Sequence, residues 1–300
     1  MRKVGRSVGG RHILAVVSDA DPPKQYLSPG KDAAVPVKRA SDKAHKRLSL
    51  AADAIAATKR AIYFQGNQTD ALKETKMNSW YRTKAVRDAD CWEMTPEAAR
   101  LAARHPEASV AAKEDLAHGG NCAEYAWVAF HYLREHGVGE TIQRTKKAGL
   151  DHLWALIGDV KKEPASDVAV ADAWVNQPLA CLWEDYFAYT PKHEQLTMTT
   201  MVADGQSFKA GIAAGLKLSA KGLKLVEKHR SGLVTAIGAN FPIITWDKDR
   251  AGEETYEYLR AGESSAQTKP GAEVTGGAVD KKEKALEASF GFSPWSRMAF

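Results

Sequence analysis

The stretch that most restricts the fold is Gly119-Gly120-Asn121-Cys122-Ala123-Glu124. Two glycines free the backbone for a sharp turn. Asn followed three residues later by Glu then reads as a capping box, with Asn121 as N-cap. Ala126, Ala129, Phe130 and Leu133 continue an apolar helical spacing, and Gly137 stops it after the basic Arg134 and His136. Cys122 therefore falls at the first helical position. Three strand-like stretches follow, at 141–145, 152–157 and 168–174. A helix succeeded by short adjacent strands predicts an α+β fold, with an antiparallel sheet packed on the helix that begins at Cys122.

The rest of the chain is organised around this segment. Residues 1–40 are rich in Gly, Pro, Ser and Lys and are expected to form a flexible basic tail. Ala44, Leu48, Ala51, Ala52, Ile55 and Ala56 predict a helix over 40–63. Thr95-Pro96-Glu97 predicts another, with Thr as cap and Pro first, running to about 105. The aromatic run 183–189 fits a strand or a packed loop. Residues 206–230 have the pattern of a Lys-rich amphipathic helix, with Lys217, Lys221, Lys224 and Lys228 opposite Ile212, Leu216, Leu223 and Val226. These signals divide the chain into a tail (1–40), a central domain (41–200), a C-terminal helical extension (201–260) and a largely flexible tail (261–300).

Charge and cysteine usage exclude several function classes. Of the formal net charge of +5, residues 1–47 carry +7, from eleven Lys/Arg against four Asp/Glu. The body is left slightly acidic, which argues against nucleic acid binding by the core. Cys91, Cys122 and Cys181 are odd in number and widely spaced, so they make no disulfide framework and suggest synthesis in a reducing compartment. No cysteine or histidine cluster has zinc spacing, and His131 and His136 are five apart rather than four. The apolar run 13–17 is too short for a secretory signal, and no run is long enough to span a membrane. The expectations are cytoplasmic synthesis, no signal peptide and no membrane span.

A thiol attacks as thiolate. The first turn of a helix favours negative charge, and its unpaired N–H groups can help hold an oxyanion. Cys122 stands where both effects operate. Strand alternation puts His152, Trp154 and Leu156 on one face, and Val168, Val170, Asp172 and Trp174 on one face of the next strand. An Asp among such neighbours requires a partner. If the hairpin is centred on Lys162, His152 lies opposite Asp172; a shift of one residue places His152 opposite Val170 or Trp174, still diagonal to Asp172. Taken singly, a buried Cys is a small hydrophobe, a strand His is hydrogen-bonded structure and an Asp at a strand end is a turn residue. Their conjunction points to a nucleophile, a base and an orienting carboxylate: Cys122, His152 and Asp172.

The segments 119–126, 151–158 and 171–174 resemble the papain-like/transglutaminase-like superfamily, in particular the papain-like domains of bacterial secreted effectors and polymorphic toxins. The resemblance covers about residues 115–190. It implies a papain-like fold and a cysteine peptidase; transglutaminase, deamidase, acyltransferase and a non-catalytic scaffold are the alternatives. It implies a protein substrate, a cognate inhibitor protein and delivery by a specialised secretion system, with no metal or organic cofactor. Papain carries a glutamine six residues before its cysteine as oxyanion donor, where this chain has Leu116. Asn121 and Gln177 are the substitutes put forward, with His118, Gln65 and Gln68 also open.

Overall fold

The computed structural model describes residues 2–8, 11–17, 37–66, 69–148, 152–174, 180–189, 191, 195–230 and 257–260. In chain order the strands are β1 (Arg2–Val8), β2 (Arg11–Val17), β3 (Val37–Ala40), β4 (Phe64–Gln65), β5 (Trp92–Glu93), β6 (Gly119–Gly120), β7 (Thr141–Lys147), β8 (Leu153–Ile157), β9 (Ala169–Ala171), β10 (Cys181–Leu182), β11 (Gln195–Val202), β12 (Lys217–Leu218) and β13 (Glu257–Arg260). The helices are α1 (Asp42–Ala61), α2 (Thr69–Glu74), α3 (Asn78–Arg87), α4 (Pro96–Arg104), α5 (Pro106–Ala117), α6 (Cys122–His136), α7 (Ala210–Ala213) and α8 (Ala220–Val226). The architecture is α+β.

Its centre is a five-stranded sheet in the order β10-β9-β8-β7-β11, antiparallel throughout. The sheet is almost entirely apolar where α6 and α1 meet it: Trp154, Ala155, Leu156, Ile157, Ala169 and Ala171 are fully buried. On α6, Tyr125, Val128, Ala129, Phe130 and Leu133 are buried in the same core, and on α1 so are Ala44, Ala51, Ala54 and Ile55. The small residues of α1 let it approach closely. Ala52 and Ala56, expected on its inner face, are exposed; Ala54, Thr58 and Ala61 replace them.

Local signals account for the helix starts. Ser41 caps α1 by accepting from Ala44 N at 3.1 Å. Thr95 caps α4 in the same way, ahead of Pro96. At α6 the Asn121 N–H donates to Glu124 Oε2 at 2.8 Å, the returning arm of a capping box. Cys122 is the first helical residue.

Four regions differ from the sequence expectation. Inside the presumed tail, β1 and β2 pair antiparallel from Arg2↔Val17 to Val8↔Arg11; the Gly9-Gly10 dipeptide between the two runs is a hairpin signal. β3 also belongs to the folded body, pairing in parallel with β13. Residues 206–230 are not one helix. Gly215 adopts φ +104, a conformation that ends α7; Lys217 and Leu218 then pair with β5, and Ser219 caps a separate α8. The expected basic face is dispersed: Lys217 bridges to Glu93 at 3.0 Å, and Lys221 to Asp88 and Asp90 at 2.9 Å each. Leu223, placed on the apolar side, is 50% exposed. Finally, α2, α3, α5 and β11 arise where the sequence signals no element. The tail 261–300 lies outside the described residues.

Candidate active site

The β8–β9 register sets the site. Ala155 faces Ala171 and Leu156 faces Val170, so the hairpin is centred on Glu163 rather than Lys162. The turn is asymmetric: Lys162 and Glu163 both donate to Asp159 O, and a 3-10 turn at Ala165–Asp167 takes up the extra length. Continued three residues beyond the last pair, Ala155↔Ala171, this register sets His152 against Trp174, with Asp172 on the diagonal. The two rings are 5.3 Å apart. The diagonal suffices, because His152 Nε2 lies 2.7 Å from Asp172 Oδ2. Both side chains are buried.

Asp172 is held from three directions. Tyr186 Oη donates to Oδ2 at 2.7 Å, and the Trp174 N–H donates to Oδ1 at 3.1 Å. Burial alone would raise the carboxyl pKa; the charge and hydrogen bond of His152, then Tyr186 and the Trp174 N–H, outweigh it and hold the group below its ordinary value. His152 shows the mirror image. Burial alone would lower its pKa, yet Asp172 and then Cys122 raise it well above that of a free imidazole. Each member of the buried pair thus favours the charged form of the other, and the pair is walled by Trp174, Trp154 and Phe187.

The Cys122 side chain acts on the same imidazole, adding to the rise in its pKa after Asp172. Cys122 is half-buried, whereas Cys91 and Cys181 are buried and burial raises both thiols. The structure thus brings Cys122, His152 and Asp172 together, with Cys122 the half-buried member.

The oxyanion candidates separate. β4 runs parallel to β6, with Gln65 paired to Gly120 and the Gly66 N–H donating to Gly120 O at 2.8 Å. This puts Gln65 beside the segment leading into Cys122. Its Nε2 donates to Trp174 O, so it also touches the residue whose ring lies against His152. Asn121 is next to Cys122, but its buried Oδ1 is an acceptor and lies where a Cβ on Gly66 would be 2.8 Å away. His118 Nδ1 is 2.8 Å from Ala61 O and its ring stacks on Tyr63. Gln177 and Gln68 lie outside the described residues. The Cys122 N–H, first in its helix, has no intrahelical acceptor and is a second donor.

Tyr186 is a site residue that sequence reasoning missed. The aromatic run 183–189 marks the segment, but nothing in it directs one hydroxyl to Asp172. Asp185, one residue away, points elsewhere, bound by Lys38 and by Tyr258 Oη at 2.8 Å. Among the described residues no group of three or more His, Cys, Asp or Glu could hold a metal ion, and no helix is long and apolar enough to cross a membrane. Comparison of the chain with protein-family models, with curated proteins and with solved structures finds no match.

Proposed function

We propose that this protein is a papain-like cysteine hydrolase of amide bonds, a peptidase with Cys122 as nucleophile, His152 as acid–base and Asp172 as orienting carboxylate. The observation that carries the reading is the buried 2.7 Å His152–Asp172 contact beside a half-buried cysteine at a helix N-terminus. An imidazolium kept charged by a buried carboxylate is a counterion for a thiolate. In the first step the Cys122 proton resides on His152 and Sγ forms a bond to the amide carbonyl carbon. The tetrahedral oxyanion lies toward the Cys122 N–H and Gln65. His152 returns the proton to the leaving amine as the C–N bond breaks, leaving a thioester. Water, deprotonated by His152, then releases the acid and restores the thiol.

The biological setting rests on the sequence resemblance: a bacterial effector or toxin with a protein substrate, delivered by a specialised secretion system and restrained by an inhibitor protein. The direct test is capture of Cys122 by iodoacetamide below pH 8. The expected rate far exceeds that of Cys91, Cys181 or a free cysteine peptide, and drops in His152→Ala. Equal rates at all three thiols would leave only a scaffold. Search for new protein termini in cells expressing wild type beside Cys122→Ala then identifies substrates.

A further inference from the structure

Arg144, on β7, stands close to the nucleophile yet has no part in the chemistry above. It is 7% exposed, with its guanidinium 4.0 Å above the ring of Trp127. That ring is held edge-on by Phe130 at 5.7 Å. Arg144 Nη2 is 3.5 Å from the carbonyl of Ala123, the residue after Cys122, which is the outer limit of a hydrogen bond. The Cys122 sulfur is within electrostatic reach of the guanidinium. Along α6, Cys122, Ala123 and Trp127 are all half-buried, so an accessible strip leads from the thiol to the arginine.

What Arg144 lacks is an anion. Its Nε is buried with no hydrogen-bond partner, and no carboxylate forms an ion pair with it among the described residues. Three carboxyls act on it from a distance: Glu114, Glu124 and Glu107. Glu124 is committed to Arg87 through two 2.8 Å bonds and to the Asn121 N–H. Glu114 is wholly buried with neither oxygen bonded, and burial, then the Glu124 charge, raise its pKa well above the ordinary range; it makes no bond to Arg144. Glu107 is exposed in the first turn of α5. A buried guanidinium without a counterion carries a large desolvation cost, which an arriving carboxylate offsets through the planar donor fork.

We propose that Arg144 binds a carboxylate of the substrate, so that the substrate class is an acidic peptide with an Asp or Glu side chain, or a terminal carboxylate, beside the scissile amide. This rests on the reading of Cys122 as nucleophile. The test compares two alkylating agents of one size, iodoacetate and iodoacetamide, at Cys122 of the full chain. Wild type should favour iodoacetate relative to a free cysteine peptide. Arg144→Gln should lower the iodoacetate-to-iodoacetamide rate ratio about tenfold, and Arg144→Lys should keep part of the preference. The His152 imidazolium attracts iodoacetate in every form and cancels in the comparison. An unchanged ratio in Arg144→Gln overturns the proposal. Capture of neither reagent faster than by a free thiol would instead sink the nucleophile reading, with the ratio still measured. Should Arg144→Gln not fold, wild type decides alone. A Glu-containing peptide amide should protect Cys122 from iodoacetamide where its Gln counterpart does not, and equal protection overturns the proposal.

Discussion

One oxygen of Asp172 receives two donors, His152 Nε2 and Tyr186 Oη, each at 2.7 Å. The tyrosine spreads the carboxylate charge and fixes its plane, so it acts on the chemistry through Asp172 and His152. Tyr186→Phe keeps the ring in the core and removes one hydrogen bond to a charged group, with an expected loss of about 2 kcal/mol in chemical denaturation; unchanged stability would mean that the hydroxyl does not bond there. Asp172→Asn removes the charge itself. Asp172 is the main force raising the His152 pKa against burial, so the imidazole should titrate about one to three units lower in the variant, read by the NMR shift of its ring protons. The sign follows from the pair. His152, raised in the folded state, contributes stability below its free pKa that is lost as pH rises through the folded value. Asp172, lowered, contributes stability above its free pKa that is lost on acidification. In the variant both slopes should flatten. At this scale the sequence was legible where chemistry repeats a local pattern: the capped start at Asn121-Cys122, and an Asp among apolar residues that needed a partner. Tyr186 and Arg144 were not, because their roles come from chain segments distant in sequence.

Among the elements, α1 is tied to the β8–β9 hairpin chiefly through Arg47, with Lys43 adding a bond to Glu163. Arg47 is 3% exposed and donates to Glu140 at 2.6 and 2.9 Å, to Glu163 at 2.8 Å and to the Asp167 carbonyl at 2.7 Å. This clamp sits on the turn that sets the register of His152 against Asp172. Burial alone would raise the Glu163 pKa; hydrogen bonds from Arg47, then Lys43, bring it down to about 2. Its stabilisation is present above the ordinary Glu pKa and is lost as pH falls toward 2. Arg47→Met should cost about 3 kcal/mol in denaturant unfolding at neutral pH and make the acid limb shallower, since Glu163 then titrates nearer its ordinary value. An acid limb as steep as that of wild type would show that Glu163 is not the group being titrated. Helix periodicity made α1, α4 and α6 legible, each with a side-chain cap signal. It failed at 206–230, where the lysine and leucine spacing fits a helix but Gly215 and pairing with β5 break it. α5 was hidden by Pro106, read as the end of the preceding helix although it opens the next.

For the molecule as a whole, the question is how much of the chain the site needs. Among the described residues, β1 and β2 bond to each other and to no third strand. β3 does otherwise: it pairs with β13 from Val37↔Glu257 to Ala40↔Arg260, and Lys38 bridges to Asp185. Asp185 in turn accepts from Tyr258 Oη, whose oxygen accepts from the Leu182 N–H of β10, the strand at the end of the central sheet. Thus residues 37–40 reach the sheet edge that carries the Tyr186 segment, whereas nothing in the pairing of 2–17 does. The sequence set the boundary of the flexible tail at 40 on composition alone; composition cannot see a four-residue strand whose partner lies more than 200 residues later. Deleting residues 1–36 should leave the thermal midpoint and the iodoacetamide rate at Cys122 unchanged. Extending the deletion through residue 40 should lower the midpoint and slow Cys122 capture, because the Lys38–Asp185–Tyr258 chain supporting the β10 edge is gone. Both truncations are read by the same melting curve and the same alkylation assay. A shorter deletion that already slows the thiol would assign the basic N-terminal segment a direct role at the site.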